Sequence, residues 1–120
     1  MEGLMRTKRS ALVGVLLMAL AVTVRADASL PVLDQPVTDL ADVVDADSKA
    51  KIDHLSRVLK AASGDVLVVV TVPTFQPYAD IRSYAVKLFE NHGKGIGEKG
   101  KDNGVMILFA RDDREVWIEV

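Results

Sequence analysis

Val66-Leu67-Val68-Val69-Val70-Thr71-Val72 decides the fold: of these seven residues, six are apolar and six are β-branched. Branching at Cβ suits an extended chain. A strand with one wet face would alternate polar and apolar residues, so this run predicts a strand covered on both sides. Pro73 closes it. The run is far shorter than the ~20 apolar residues needed to cross a bilayer.

A helix is predicted immediately upstream. Asp45 can cap it, and Asp47 places negative charge in the first turn, where the helix dipole favours it. Ile52, Leu55, Leu59 and Ala62 recur at helical spacing as one apolar stripe, and Gly64 supplies the stop. Before it, Leu40 to Val44 sets apolar residues between Asp39, Asp42 and Asp45, and residues 29–36, with Pro31 and Pro36, read as an extended lead-in. Downstream, Pro77 to His92 reads as a second amphipathic helix with Ile81, Tyr84, Ala85, Leu88 and Phe89 on one face and Gly93 at its end. A Gly- and Lys-rich loop, residues 93–103, leads to a strand at Val105–Ala110 and a polar turn, Arg111-Asp112-Asp113-Arg114. Glu115 to Val120 then alternates, with Val116, Ile118 and Val120 on one face and Trp117 on the outer one.

Strands joined through helices pair in parallel, whereas the last hairpin must be antiparallel, so the expected fold is a three-layer α/β/α sandwich with a mixed sheet. The sequence stops at Val120 inside an apparent strand, which reads as a domain truncated at its C-terminus.

Residues 1–28 read as a signal peptide. Arg6, Lys8 and Arg9 form a basic start, Ala11 to Val24 is an uncharged apolar run, and Ala26-Asp27-Ala28 puts small residues where signal peptidase needs them, before Ser29. An uncleaved N-terminal anchor is the competing reading. Removing these residues takes four basic and two acidic side chains from the chain's 15 Lys+Arg and 17 Asp+Glu, leaving 11 against 15 and a net charge of −4. Such an acidic domain is a poor partner for nucleic acid, whose binding is driven by phosphate neutralisation. The sequence has no cysteine, which excludes disulfides, thiolate catalysis and cysteine-ligated zinc.

Motifs with chemical content are few. The Gly93–Lys101 loop has the glycines and lysines of a phosphate cradle. It follows a helix, however, whereas such cradles join a strand to a helix, so a solvated connection explains it better. Asp102 and Asn103 offer turn chemistry. They also offer hard oxygens that, with Asp39 nearby in space, suit Ca²⁺ or Mg²⁺. Asp42, Asp45, Asp47 and Asp53 lack the spacing of a calcium loop, and His54 and His92 have no nucleophile or carboxylate at triad spacing.

Taken together, Val37-Thr38-Asp39, the strand with Thr71, Tyr84-Ala85…Leu88-Phe89, Gly95-Ile96-Gly97, Lys101-Asp102-Asn103-Gly104-Val105 and Asp113-Arg114-Glu115-Val116-Trp117-Ile118-Glu119-Val120 resemble the TPM domain family, also described as YgcG-like, over roughly residues 35–120. The resemblance implies an α/β/α sandwich with a mixed sheet, placing the domain at 37–120. It also implies an exported or lumenal location, and a branch tied to photosystem II repair with acid phosphatase activity. Bacterial relatives often carry a C-terminal membrane helix, and an animal branch modulates an acetylcholine receptor. It further implies Ca²⁺ near positions matching Asp39, Asp102 and Asn103. Two departures stand out: His92-Gly93-Lys94 replaces the family's usual aromatic residue before Gly-Ile-Gly, and the segment that follows the hairpin in the family is missing.

Two functions are therefore expected to compete. One is a non-catalytic envelope module supporting assembly or turnover of a membrane protein or complex. The other is a phosphatase in which Asp39 and Asp102 hold a divalent cation that polarises a phosphoryl oxygen. The absence of an identifiable nucleophile or general base, and a mature charge that repels anionic substrates, favours the module.

Overall fold

The computed structural model describes residues 30–120; the signal-peptide reading of residues 1–28 lies outside them. Strands β1 (Val37–Asp39), β2 (Val66–Val72), β3 (Gly104–Ala110) and β4 (Glu115–Glu119) form one sheet in that spatial order. Helix α1 (Ala46–Ser63) joins β1 to β2, and α2 (Ile81–Glu90) with a short 3₁₀ turn (Asn91–Gly93) joins β2 to β3. The first two pairings are parallel and β3–β4 is antiparallel, the mixed sheet that the chain order predicts.

Local chemistry sets the helix ends. The Asp45 carboxylate accepts from Ser48 N–H at 2.8 Å to open α1, and Gly64 closes it at φ 83°. Helix α2 begins later than the apolar pattern suggests. Thr74 and Phe75 are tied to Asp113, whose Oδ2 accepts from Thr74 Oγ1 at 2.9 Å and from Phe75 N–H at 3.0 Å. Asp80 caps the helix by accepting from Ser83 N–H at 2.7 Å. Its stop is Asn91 in the left-handed region (φ 47°), two residues before Gly93.

The core lies on one face of the sheet. Val68, Val70 and Val72 of β2 and Met106, Leu108 and Ala110 of β3 are buried with Ile81, Tyr84, Ala85 and Leu88 of α2. Trp117 packs against this same cluster, so the expected sidedness of β4 is inverted. Leu108 pairs with Trp117 in register, which puts Trp117 on the α2 side and leaves Val116 and Ile118, each 59% exposed, on the other face.

Helix α1 covers that other face only over β1 and β2. Its Lys49 reaches Asp39, which is in register with Thr71, and its one buried side chain is Ser56, whose Oγ donates to Leu67 O at 2.6 Å. The expected stripe therefore does not sit on the sheet: Leu55 is 63% exposed and Leu59 is exposed as well. At 100° per residue, Leu55 and Leu59 stand to the same side of Ser56, away from Arg57 and Lys60.

Candidate functional site

In a parallel sheet the chemistry most often gathers beyond the carboxyl ends of the strands. There β1 ends on Asp39, β2 on Thr71 and Val72, and β3 on Ala110. The Asp39 side chain is 2% exposed and saturated with donors. Thr71 Oγ1 donates to Oδ1 at 2.5 Å, Val43 N–H to Oδ1 at 3.1 Å and Val44 N–H to Oδ2 at 3.0 Å, and Lys49 Nζ stands 3.4 Å from Oδ2. Burial raises its pKa, but these four donors outweigh burial and hold the carboxyl at about 2. Asp39 also organises the loop after it: Thr71 Oγ1 accepts from Ala41 N–H at 3.1 Å, and the Arg111 guanidinium donates to Ala41 O at 2.8 Å.

Asp102 and Asn103 lie at the opposite end of the sheet. Asn103 immediately precedes β3, and Gly104 pairs with Val66, whereas Asp39 is level with Thr71 and Phe109. Gly104 and Phe109 are five residues apart, so the two groups stand roughly 16 Å from each other along the strands at ~3.3 Å per residue. The expectation that Asp39 is near Asp102 and Asn103 in space is corrected by this register. A shared Ca²⁺ or Mg²⁺ needs ligands within ~2.6 Å of one ion, and these residues do not fit one. The signal was already in the sequence: Asp39 ends one parallel strand, and Asn103 begins another.

Asn103 acts as a fastener through both ends of its amide. Its Nδ2 donates to Gly64 O at 2.7 Å, the last turn of α1, and its Oδ1 accepts from Glu98 N–H at 2.9 Å. The Gly-rich loop crosses itself at this point. A methyl group at Gly97 would stand 2.7 Å from Gly104 N and press on Asn103 Oδ1. The glycine is there to let two backbones touch, which accounts for the spacing from Gly97 to Asn103-Gly104 without any phosphate. Asp102 is exposed and held at φ 47°. Four other acidic residues take structural parts: Asp45 and Asp80 as caps, Asp53 on Arg57 at 2.7 Å, and Asp113 on the loop before α2. His92 Nε2 lies 2.9 Å from Leu30 O, so this histidine anchors the lead-in.

A mixed sheet between two helices, with a saturated aspartate ending β1 and an Asn-Gly fastener opening β3, defines a small α/β domain whose motif residues build the scaffold. The chain belongs to the TPM domain family, whose sequence model matches residues 37–120. It is similar to the solution NMR structure of the N-terminal domain of the cg2496 protein from Corynebacterium glutamicum, with a TM-score of 0.57 and 20% identity over 81% of this chain. That alignment spans 60% of the bacterial chain, and the likeness is one of fold. No curated protein matches the sequence.

Proposed function

We propose that this TPM domain is an exported, non-catalytic module of the cell envelope that supports the assembly or turnover of a membrane protein. The saturation of Asp39 carries the reading. A general base or nucleophile needs an accessible lone pair, and a metal ligand needs an uncommitted oxygen; this carboxylate instead receives four donors and is sealed from solvent. Export is supported by the basic start, the apolar run from Ala11 to Val24 and the small residues before Ser29. A domain that keeps 15 acidic against 11 basic residues after cleavage suits a protein surface better than a phosphorylated substrate.

The test is a phosphatase assay of the purified chain on p-nitrophenyl phosphate, from acid to neutral pH, with Ca²⁺, Mg²⁺ or chelator. The expected result is no turnover above the blank and no shift of the melting temperature by either ion. Metal-dependent turnover that disappears in Asp102→Ala would replace this reading with the phosphatase. N-terminal sequencing of the chain recovered from an expressing cell is expected to begin at Ser29; a chain recovered soluble from cytosol with Met1 in place would remove the export half of the proposal.

A further inference from the structure

Strand β1 pairs with β2 only opposite Val69–Thr71, which leaves the first residues of β2 with an open edge on that side. The direction of each amide follows from the bonds on either side. Val69 N–H donates to Pro36 O at 2.8 Å and Thr71 O accepts from Leu40 N–H at 3.0 Å, so odd-numbered residues of β2 bond toward β1. Val66 N–H donates to Asn103 O at 2.9 Å and Val72 O accepts from Arg111 N–H at 3.0 Å, so even-numbered ones bond toward β3. Parallel pairing keeps this alternation, and it turns both backbone groups of Leu67 toward the open edge. The Leu67 carbonyl is taken by Ser56 Oγ. Its N–H has no partner on that side among the described residues.

In the register of β1 the next bonds would run from Leu67 N–H to Asp34 O and from residue 36 to Leu67 O, but Pro36 has no N–H to give, and the lead-in is fastened to Asn91 instead. The Asn91 amide, 5% exposed, donates through Nδ2 to Leu33 O at 2.9 Å, and its Oδ1 accepts from Leu33 N–H at 2.8 Å. Asn91 thus ties the lead-in to the end of α2 at Leu33. What remains is a cavity of about 300 Å³ between the lead-in, the start of β2, the underside of α1 and Ile96–Glu98. That volume is at the lower end for small-ligand sites.

Its lining states the ligand's chemistry. Leu33, Pro36, Val66 and Ile96 offer an apolar body. Among the polar residues, Arg57 is paired with Asp53 at 2.7 Å and Glu98 with Lys101 at 2.8 Å. Lys60 makes no ion pair among the described residues, although its charge is felt by Glu98 on the same wall, so a cation and an N–H donor share one slot. Asp34 on the lead-in wall disfavours a dianion such as phosphate. We infer that this slot binds a carboxylate carrying a short apolar chain, the chemistry of a peptide's C-terminal end, with Leu67 N–H donating to the carboxylate and Lys60 offsetting its charge. The site is independent of the envelope-module reading, and a negative phosphatase assay leaves it untouched.

The experiment is an NMR titration of the ¹⁵N-labelled full chain with N-acetyl-Val-Ala-Leu bearing a free carboxylate. The Leu67 amide resonance is expected to shift saturably, and the C-terminally amidated peptide to bind at least about tenfold more weakly, because the charged hydrogen bond is lost. Lys60→Ala, at an exposed helical position, is expected to weaken binding several-fold while the rest of the spectrum stays in place. N-acetyl-valine separates two sources of this chemistry: affinity equal to the tripeptide's assigns the slot to free carboxylic acids, and much weaker binding assigns it to peptide ends; both support the site. A Leu67 resonance that stays still, or equal binding of the amidated peptide, overturns it.

Discussion

Asp39 shows what one buried charge does for this fold. Its carboxyl holds the turn from β1 into α1 through two backbone N–H groups and ties that turn to β2 through Thr71. The folded pKa of about 2 lies below the 3.8 of a free aspartate, so the group binds protons less readily in the folded state. Its contribution, about 2 kcal/mol, is therefore fully present above pH ~4 and is lost as pH falls through the folded value near 2. Melting curves between neutral and strongly acid pH are expected to show this loss, and Asp39→Asn is expected to lower the melting temperature at neutral pH and flatten the acid limb. An unchanged acid limb would mean that other groups carry the dependence. Asn103 is the neutral counterpart. Removing its amide leaves Gly64 O and Glu98 N–H short of a partner, and Asn103→Ala is expected to cost about 1–3 kcal/mol in urea unfolding. Gly97→Ala is expected to cost about as much, from overpacking against Gly104. If Asn103→Ala is neutral, the fastener role is wrong.

At the scale of elements, what the sequence makes legible is what is decided locally. Asp45 and Gly64 bound α1 as read, because a cap needs only a side chain and its own first turn. The parallel order of β1, β2 and β3 follows from the helices between them. Three features were not legible, each for a physical reason. The apolar stripe of α1 records helical period but not which side meets the sheet, and a small Ser56 allows the helix to sit close while Leu55 and Leu59 turn outward. The alternation of β4 gives two faces without saying which is inside; the bulk of Trp117 fits the α2 side, where its Nε1 donates to Glu119 Oε2 at 2.8 Å. The start of α2 depends on Asp113, 38 residues from its partner Phe75. As for the candidate site, the sequence singles out Asp39, Asp102 and Asn103 but not Lys49, which pairs with Asp39, and it does not give their geometry, since register alone separates Asp39 from Asp102. Ser56, Lys60 and Asn91, which shape the slot beside Leu67, carry no motif; the amide pair that Asn91 makes with Leu33 is visible only once 58 residues of chain have folded between them.

The whole molecule is unevenly built. On the α2 side, Val70, Leu88, Met106 and Leu108 are sealed. On the other, β4 shows Val116 and Ile118 to solvent, and α1 exposes Leu55 and Leu59. Burial of apolar surface is the main favourable term in folding, so the two sides must contribute very differently. Met106→Ala, which empties a fully enclosed site, is expected to cost about 2–5 kcal/mol. Ile118→Thr, which keeps β-branching on a wet face, is expected to change stability by less than about 0.5 kcal/mol. These exposed apolar side chains have a second consequence, since apolar surface left in water drives association. Ile118→Lys combined with Leu55→Glu is expected to lower concentration-dependent light scattering without lowering the urea midpoint. Should the double variant instead unfold more readily than the parent, this face is packed in the isolated chain and the division of labour between the two sides of the sheet fails.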